Sequence, residues 1–98
     1  MVGFEILVNG KRLYTIGIGD FGVMTASVMH ARVQTKAGPI FDEIHVNGQG
    51  SKSEDKEAWV WDREVLKVGD EVTVRVIKTD SVDPGRPLAD LADENSEN

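Results

Sequence analysis

The fold of this chain is decided by one stretch, Glu64 to Lys78, which reads E-V-L-K-V-G-D-E-V-T-V-R-V-I-K. Its second half alternates with a period of two, as a strand with one buried face does. One face receives Val72, Val74 and Val76, and the other receives Thr73, Arg75 and Ile77. Gly69-Asp70 is typical of a turn, because Gly accepts positive φ and Asp can bond its own backbone. The stretch therefore predicts a turn and a strong strand with which the other strands must pair.

The preceding chain predicts further antiparallel strands. Asn9-Gly10 predicts a type I′ turn within Phe4 to Ile18, since this turn needs positive φ at both central residues. The expected register places Ile6 opposite Leu13 and Phe4 opposite Thr15 on the core face. Val23 to Thr35 predicts one long strand, because β-branched residues weigh against a helix.

A second dipeptide of the same kind, Asn47-Gly48, predicts another turn. We expect a mobile polar loop after it, from Gln49 to Glu57, and then the strand Ala58 to Asp62. The sequence thus predicts a single antiparallel all-β domain of about six strands in residues 1–79, folded as a β-sandwich or a partly open barrel. Residues 80–98 are expected to form an acidic, partly disordered C-terminal tail.

Composition excludes several classes of protein. The formal net charge is −6, and from Asp80 onward there are six acids and one base, so the tail carries most of it. A nearly neutral domain lacks the basic face that nucleic acid requires, so we expect no nucleic-acid partner. The chain has no Cys, which removes thiolate zinc and redox sites and is compatible with the cytoplasm. We expect no cofactor. We expect no signal peptide, because Met1 to Gly10 lacks a cationic n-region followed by an apolar run, and no membrane span, because no apolar run approaches ~20 residues.

Candidate binding residues are few. Trp59 and Trp61 share one strand face, where they either anchor the core or line a mouth together with Tyr14. Glu43 and His45 also share a face, and with Asp42 they are candidates for the polar centre of an enzyme. The alternative interpretation of these three residues is a solvated strand face.

The run from Val23 to Val33 contains no Pro, Asp or Glu, the residues that usually protect an open sheet edge. If this strand lies at an edge, we expect a C2 homodimer whose seam contains Met29, Ala31 and Val33. If it is a central strand, the protein is expected to be a monomer.

Three stretches carry a resemblance to known proteins. They are the hairpin F-E-I-L-V-N-G-K-R, then Gly19, Asp20, Gly22 and Val23, and then L-K-V-G-D-E-V-T-V-R-V after a tryptophan-containing strand. In this order the chain resembles a group of small uncharacterised bacterial all-β proteins. The resemblance implies a shared all-β fold and no substrate.

Three functions remain open from the sequence. The first is a non-enzymatic protein-interaction module that binds another protein or itself. The second is a small-ligand-binding β protein with an aromatic-lined mouth, and the third is an enzyme built on Asp42, Glu43 and His45. An exposed apolar patch or open edge would favour the first, a concave apolar pocket the second, and a catalytic cleft the third.

Overall fold

The chain forms two antiparallel β-sheets. The computed structural model describes residues 1–19, 22–52 and 58–87. Its strands are β1 (Val2–Val8), β2 (Lys11–Ile16), β3 (Gly22–Gln34), β4 (Ile40–Lys52), β5 (Ala58–Leu66), β6 (Val72–Lys78) and β7 (Arg86–Pro87). No helix occurs in these ranges, and accordingly none that is long and apolar enough to cross a membrane. The predicted all-β antiparallel class is confirmed, with the two-residue β7 added to the six predicted strands.

Each sheet has a simple strand order. The first sheet runs β2-β1-β6, and the second runs β3-β4-β5-β7. The sheets pack through a small buried cluster that draws on both, namely Ile6, Ile16, Val46, Trp61 and Leu66. Partly buried apolar side chains such as Phe4, Ile44 and Val72 surround this cluster. The fold is therefore a sandwich whose core lies between β1 and β2 on one side and β4 and β5 on the other.

The turn that joins β1 and β2 is confirmed, whereas its expected register is not. Asn9 has φ 53° and Gly10 has φ 80°, as a type I′ turn requires. The register shifts between Ile6 and Leu7, so that Ile6 lies opposite Tyr14 and Phe4 lies opposite Ile16. The predicted pairs, Ile6 with Leu13 and Phe4 with Thr15, are wrong because a bulge inserts one residue into the ladder. The bulge moves the fully buried Ile16 onto the face that Ile6 presents to the core.

The turn expected at Asn47-Gly48 does not exist. β4 continues through both residues to Lys52, and neither has positive φ. A Cβ at Gly48 would lie 2.8 Å from Cδ1 of Ile16, so this glycine allows the two sheets to approach each other. The segment Gln49 to Lys52, expected to be loop, is strand instead. The rest of the predicted loop, residues 53–57, lies outside the described residues.

One side of the sandwich is closed by residues 82–87, which we call the strap. The backbone N–H of Asp83 donates to the carbonyl of Thr15 in β2 at 2.9 Å, and β7 pairs with β5. The sequence predicts that a tail begins at residue 80. The strap lies within this predicted tail and nevertheless packs on the domain. The remaining residues of that predicted tail, 88–98, lie outside the described residues. The strap thus joins the β2 edge of the first sheet to the β5 side of the second.

On the side opposite the strap, each sheet ends in a strand whose outer edge pairs with no other described strand. β6 is the far edge of the first sheet and β3 the far edge of the second, counted from the strap. On β6, Val74 and Val76 lie opposite Ile6 and Phe4 and yet are exposed. The sandwich is therefore closed on the strap side and open on the side of β3 and β6.

Candidate functional site

The two tryptophans point to the same face, as their spacing predicted. Trp59 lies opposite Gly50 and Trp61 opposite Gly48, and both rings pack at the core, with Trp61 the more deeply buried. Beside them is a cavity of about 220 Å³ whose walls are mostly apolar. Its lining comprises the segment 17–19, Lys52, the two tryptophans and strap residues 82–85. Tyr14 lines a neighbouring hollow of about 340 Å³ that shares Trp61 and the strap.

The polar groups of the residues that line this cavity differ in their hydrogen bonding. Nε1 of Trp61 donates to the carbonyl of Asp83 at 2.7 Å, which fixes the strap to the ring. Nε1 of Trp59 is buried and has no hydrogen-bond acceptor. Nζ of Lys52 lies 6.0 Å from the centroid of the Trp59 ring, within reach of a weak cation–π interaction. The cavity therefore has a large aromatic wall, and the buried Nε1 of Trp59 has no acceptor within the described part of the chain.

Tyr14 is a structural anchor of this region. Its hydroxyl donates to the carbonyl of Asp62 at 2.8 Å, which links β2 to β5. Burial, followed by the negative charge of Asp62, raises the pKa of Tyr14 to about 12. The phenol consequently stays neutral at physiological pH and acts as a hydrogen-bond donor.

The proposed polar centre of an enzyme is divided between two faces of the second sheet. Glu43 and His45 lie on the outer face, with side chains only 14% and 12% exposed. Oε1 of Glu43 lies 3.2 Å from Nδ1 of His45 and 2.9 Å from Nη1 of Arg63, although the angles leave the Glu43 and His45 atoms without a hydrogen bond. Asp42 points to the inner face, because neighbouring residues in a strand alternate. The three predicted residues therefore do not converge on one centre.

Asp42 instead belongs to an exposed group of side chains at the far end of the β3–β4 hairpin. Its carboxylate lies 2.9 Å from Nε2 of His30 and 3.8 Å from Nε of Arg32. All three side chains are about half exposed or more, so solvent screens their charges. Among the described residues, no group of three or more His, Cys, Asp or Glu is arranged to hold a metal ion.

β3 is an edge strand, which was the condition for the predicted dimer. It pairs with β4 through thirteen consecutive residue pairs without a register shift, and no described strand pairs with its other side. Val28, Met29 and Val33 are 58%, 51% and 55% exposed, and Ala31 is partly buried between them. Met29, Ala31 and Val33 share the outer face with His45, Glu43 and Phe41, their respective partners on β4. The interpretation of β3 as a central strand is therefore wrong.

The other edge strands of the described sheets are all shorter than β3. Asp83 occupies the free edge of β2, because it accepts from the Thr15 N–H and donates to the Thr15 carbonyl. β6 is only seven residues long and carries Arg75 and Lys78, and β7 ends at Pro87. Charge, Pro and cover are the usual means of blocking edge-to-edge pairing. β3 carries Arg32 as its one permanent charge, near Asp42 of its own hairpin. Over its thirteen residues it has no Pro, and no segment of the described chain covers its outer edge.

Sequence reasoning missed several residues that build these sites. Asp83 was assigned to a tail because Asp83-Pro84-Gly85 is typical of a break in regular structure, and its partner Thr15 is 68 residues away. Arg12 and Arg63 carry no local signal, since Arg12 meets Asp83 only when the strap packs on β2, and Arg63 meets Glu43 only when β4 and β5 pair. The lack of acids and Pro in β3 can be read directly from the sequence, whereas its place at the sheet edge is given only by the strand order.

Comparison with known proteins adds no family to these observations: no protein-family model, curated protein or solved structure matches the chain.

Proposed function

We propose that the protein is a non-enzymatic interaction module that binds an extended polypeptide strand along the open edge of β3. The observation that carries this proposal is the edge itself, which is thirteen residues long, contains no Pro, Asp or Glu, and is covered by no segment in residues 1–19, 22–52 and 58–87. An exposed edge presents unpaired N–H and C=O groups that a partner strand can satisfy, while alternate side chains provide specificity.

The side chains that flank this edge support the same function. Val28 lies on one face of the sheet and Met29 and Val33 on the other, and all three are more than half exposed. Phe41 and Val65 extend the exposed apolar surface across β4 and β5 on the outer face. A cluster of exposed apolar side chains on a small domain marks an interaction surface more often than chance.

Site-specific photo-crosslinking tests this proposal with a matched pair of positions. Thr25 on β3 and Thr73 on β6 are both exposed threonines on edge strands. A photo-reactive phenylalanine analogue at position 25 should give a covalent polypeptide adduct, in the purified protein or in a cell extract, whereas one at position 73 should not. Absence of any adduct from position 25 under both conditions would refute the proposal.

A second candidate function, small-ligand binding, is favoured by the cavity beside Trp59. Its volume of about 220 Å³ exceeds the ~150 Å³ of an apolar cavity that accepts benzene. The ligand expected here is a small aromatic molecule, because the indole rings of Trp59 and Trp61 line the cavity. Benzyl alcohol should therefore shift the Trp59 indole N–H resonance more than that of Trp61, which is already bonded to Asp83. Equal or absent shifts would remove this candidate.

A further inference from the structure

We propose that the strand accepted by β3 is β3 of a second copy, paired antiparallel across a two-fold axis at Val28. This inference rests on the proposed function and adds the identity of the partner and the register. The four-stranded second sheet would continue into that of the partner as one eight-stranded sheet. An antiparallel seam between identical strands is isologous, so it closes as a dimer and leaves neither β3 edge exposed.

The length of β3 selects the position of the axis. Val28 is the midpoint of Gly22–Gln34, so an axis there pairs all thirteen residues over about 43 Å at ~3.3 Å per residue. On the outer face, Met29 would then lie opposite Ser27 of the partner subunit, and Ala31 opposite Thr25 of the partner subunit. Met29, the largest side chain on this face of β3, would thus face a small one, which favours close packing of this cross-strand pair.

The charges along β3 favour the same register. Arg32 is the one permanently charged residue between Gly22 and Gln34. With the axis at Val28, Arg32 faces Met24 of the partner subunit, and the two arginines are about 26 Å apart along the seam. That separation exceeds the Debye length of ~8 Å at physiological ionic strength, so their repulsion is screened. An axis at His30 would halve the distance and place the two imidazoles opposite each other.

The size of the seam sets its expected strength. A standard stable interface contains about 20–30 residues on each side, and the seam contributes thirteen. Burial of exposed Val28, Met29 and Val33 adds apolar contact on both faces. We therefore expect a dimer that dissociates in the micromolar range rather than an obligate one.

Single cysteines test the register directly, because the chain has no Cys of its own. Facing residues of antiparallel strands have Cα atoms about 4.5–5.5 Å apart, within the ~4.4–6.8 Å range of disulfides. Val28→Cys should therefore form a disulfide-linked dimer under mild oxidation. The matched control is His30→Cys, which is exposed on the same face but about 13 Å from its mate along the seam, and it should crosslink at least about tenfold more slowly.

Opposite charges at the axis provide an independent test. Val28→Glu and Val28→Lys should each weaken dimerisation at least about tenfold, or ~1.4 kcal/mol, because like charges would face each other. Val28 is more than half exposed, so both variants should fold, as circular dichroism can verify. An equimolar mixture should recover a one-to-one heterodimer in sedimentation velocity.

Three outcomes would overturn the inference. A wild-type protein that sediments as a monomer above about 100 μM would exclude the dimer. A faster crosslink at residue 30 than at residue 28 would exclude the register. If the protein is monomeric and position 25 still crosslinks to other polypeptides, the second copy is excluded while the interaction function stands.

Discussion

Replacing Asp83 by alanine should destabilise the domain, because one carboxylate oxygen serves two parts of β2. Oδ2 of Asp83 accepts the backbone N–H of Thr15 at 2.8 Å and also pairs with Arg12. Thr15 is 4% exposed, so little water is available to replace the lost acceptor. The two backbone contacts of Asp83, with the Thr15 carbonyl and Trp61 Nε1, do not depend on its side chain.

The expected magnitude follows from these two contacts. A buried N–H that loses its acceptor costs about 1–3 kcal/mol. The side chains of Arg12 and Asp83 are 49% and 40% exposed. An ion pair as exposed as this one contributes about 0–1 kcal/mol to stability. We expect Asp83→Ala to lower the free energy of unfolding by about 2–3 kcal/mol. For a domain of this size that lowers the melting temperature by roughly 10–20 °C.

Urea denaturation followed by tryptophan fluorescence measures this change, and two controls separate its causes. Asp83→Asn retains an oxygen that can accept the Thr15 N–H, so it should cost about 1 kcal/mol or less. Asp80→Ala makes the same change in charge at an exposed position and should be nearly neutral. If Asp83→Ala and Asp83→Asn lower stability equally, within about 0.5 kcal/mol, the Thr15 amide does not depend on this side chain.

Three further predictions concern backbone conformation, sheet packing and ionisation. Gly10→Val places a β-branched residue at φ 80° and should cost about 1–2 kcal/mol, measured as a shift of the denaturation midpoint; an unchanged midpoint would contradict the observed turn. Gly48→Ala brings a methyl group within 2.8 Å of Ile16 and should cost about 1–3 kcal/mol; unchanged thermal unfolding would show that the sheets can separate freely. Tyr14 is the one tyrosine in the chain, so phenolate absorbance should titrate near 12 in the folded protein and near 10 in urea. Because the folded pKa is the higher, stability is full below pH 10 and falls between pH 10 and 12, by an amount on the order of 1 kcal/mol at this half-buried site; Tyr14→Phe should remove that fall.

The local sequence pattern was sufficient to predict most strands, but it was not sufficient to predict the register in which they pair. The strand from Val72 to Lys78 and the turn at Asn9-Gly10 both reflect constraints within a few residues, and both are confirmed. The buried face and the central place expected for that strand are wrong, because Val74 and Val76 are exposed and β6 pairs with β1 alone among the described strands. Asn47-Gly48 is the same dipeptide as Asn9-Gly10 but lies within β4. At this position the side chain of Ile16, from the other sheet, packs against the backbone of Gly48. No property of residues 47 and 48 alone distinguishes the two cases.

For the candidate sites, too, the sequence predicted the local arrangement of side chains but not their contacts with distant parts of the chain. The period of two correctly placed Trp59 with Trp61 and Glu43 with His45, and the same period separates Asp42 from both. Sequence could also identify β3 as an unprotected strand, because that depends on composition. The strap could not be found this way: Asp83 acts through the edge of β2, which exists only once the sheets have formed.

The one-sided closure of the sandwich determines what spectroscopy can detect. Both tryptophans and the one tyrosine lie beside the strap, and no Trp or Tyr occurs in the far half of the β3–β4 hairpin, residues 28–34 and 40–46. Tryptophan and tyrosine fluorescence will therefore follow the closed half alone. A melt can look like a single cooperative transition while the hairpin end has already opened. Amide exchange measured strand by strand would separate the two free energies of opening.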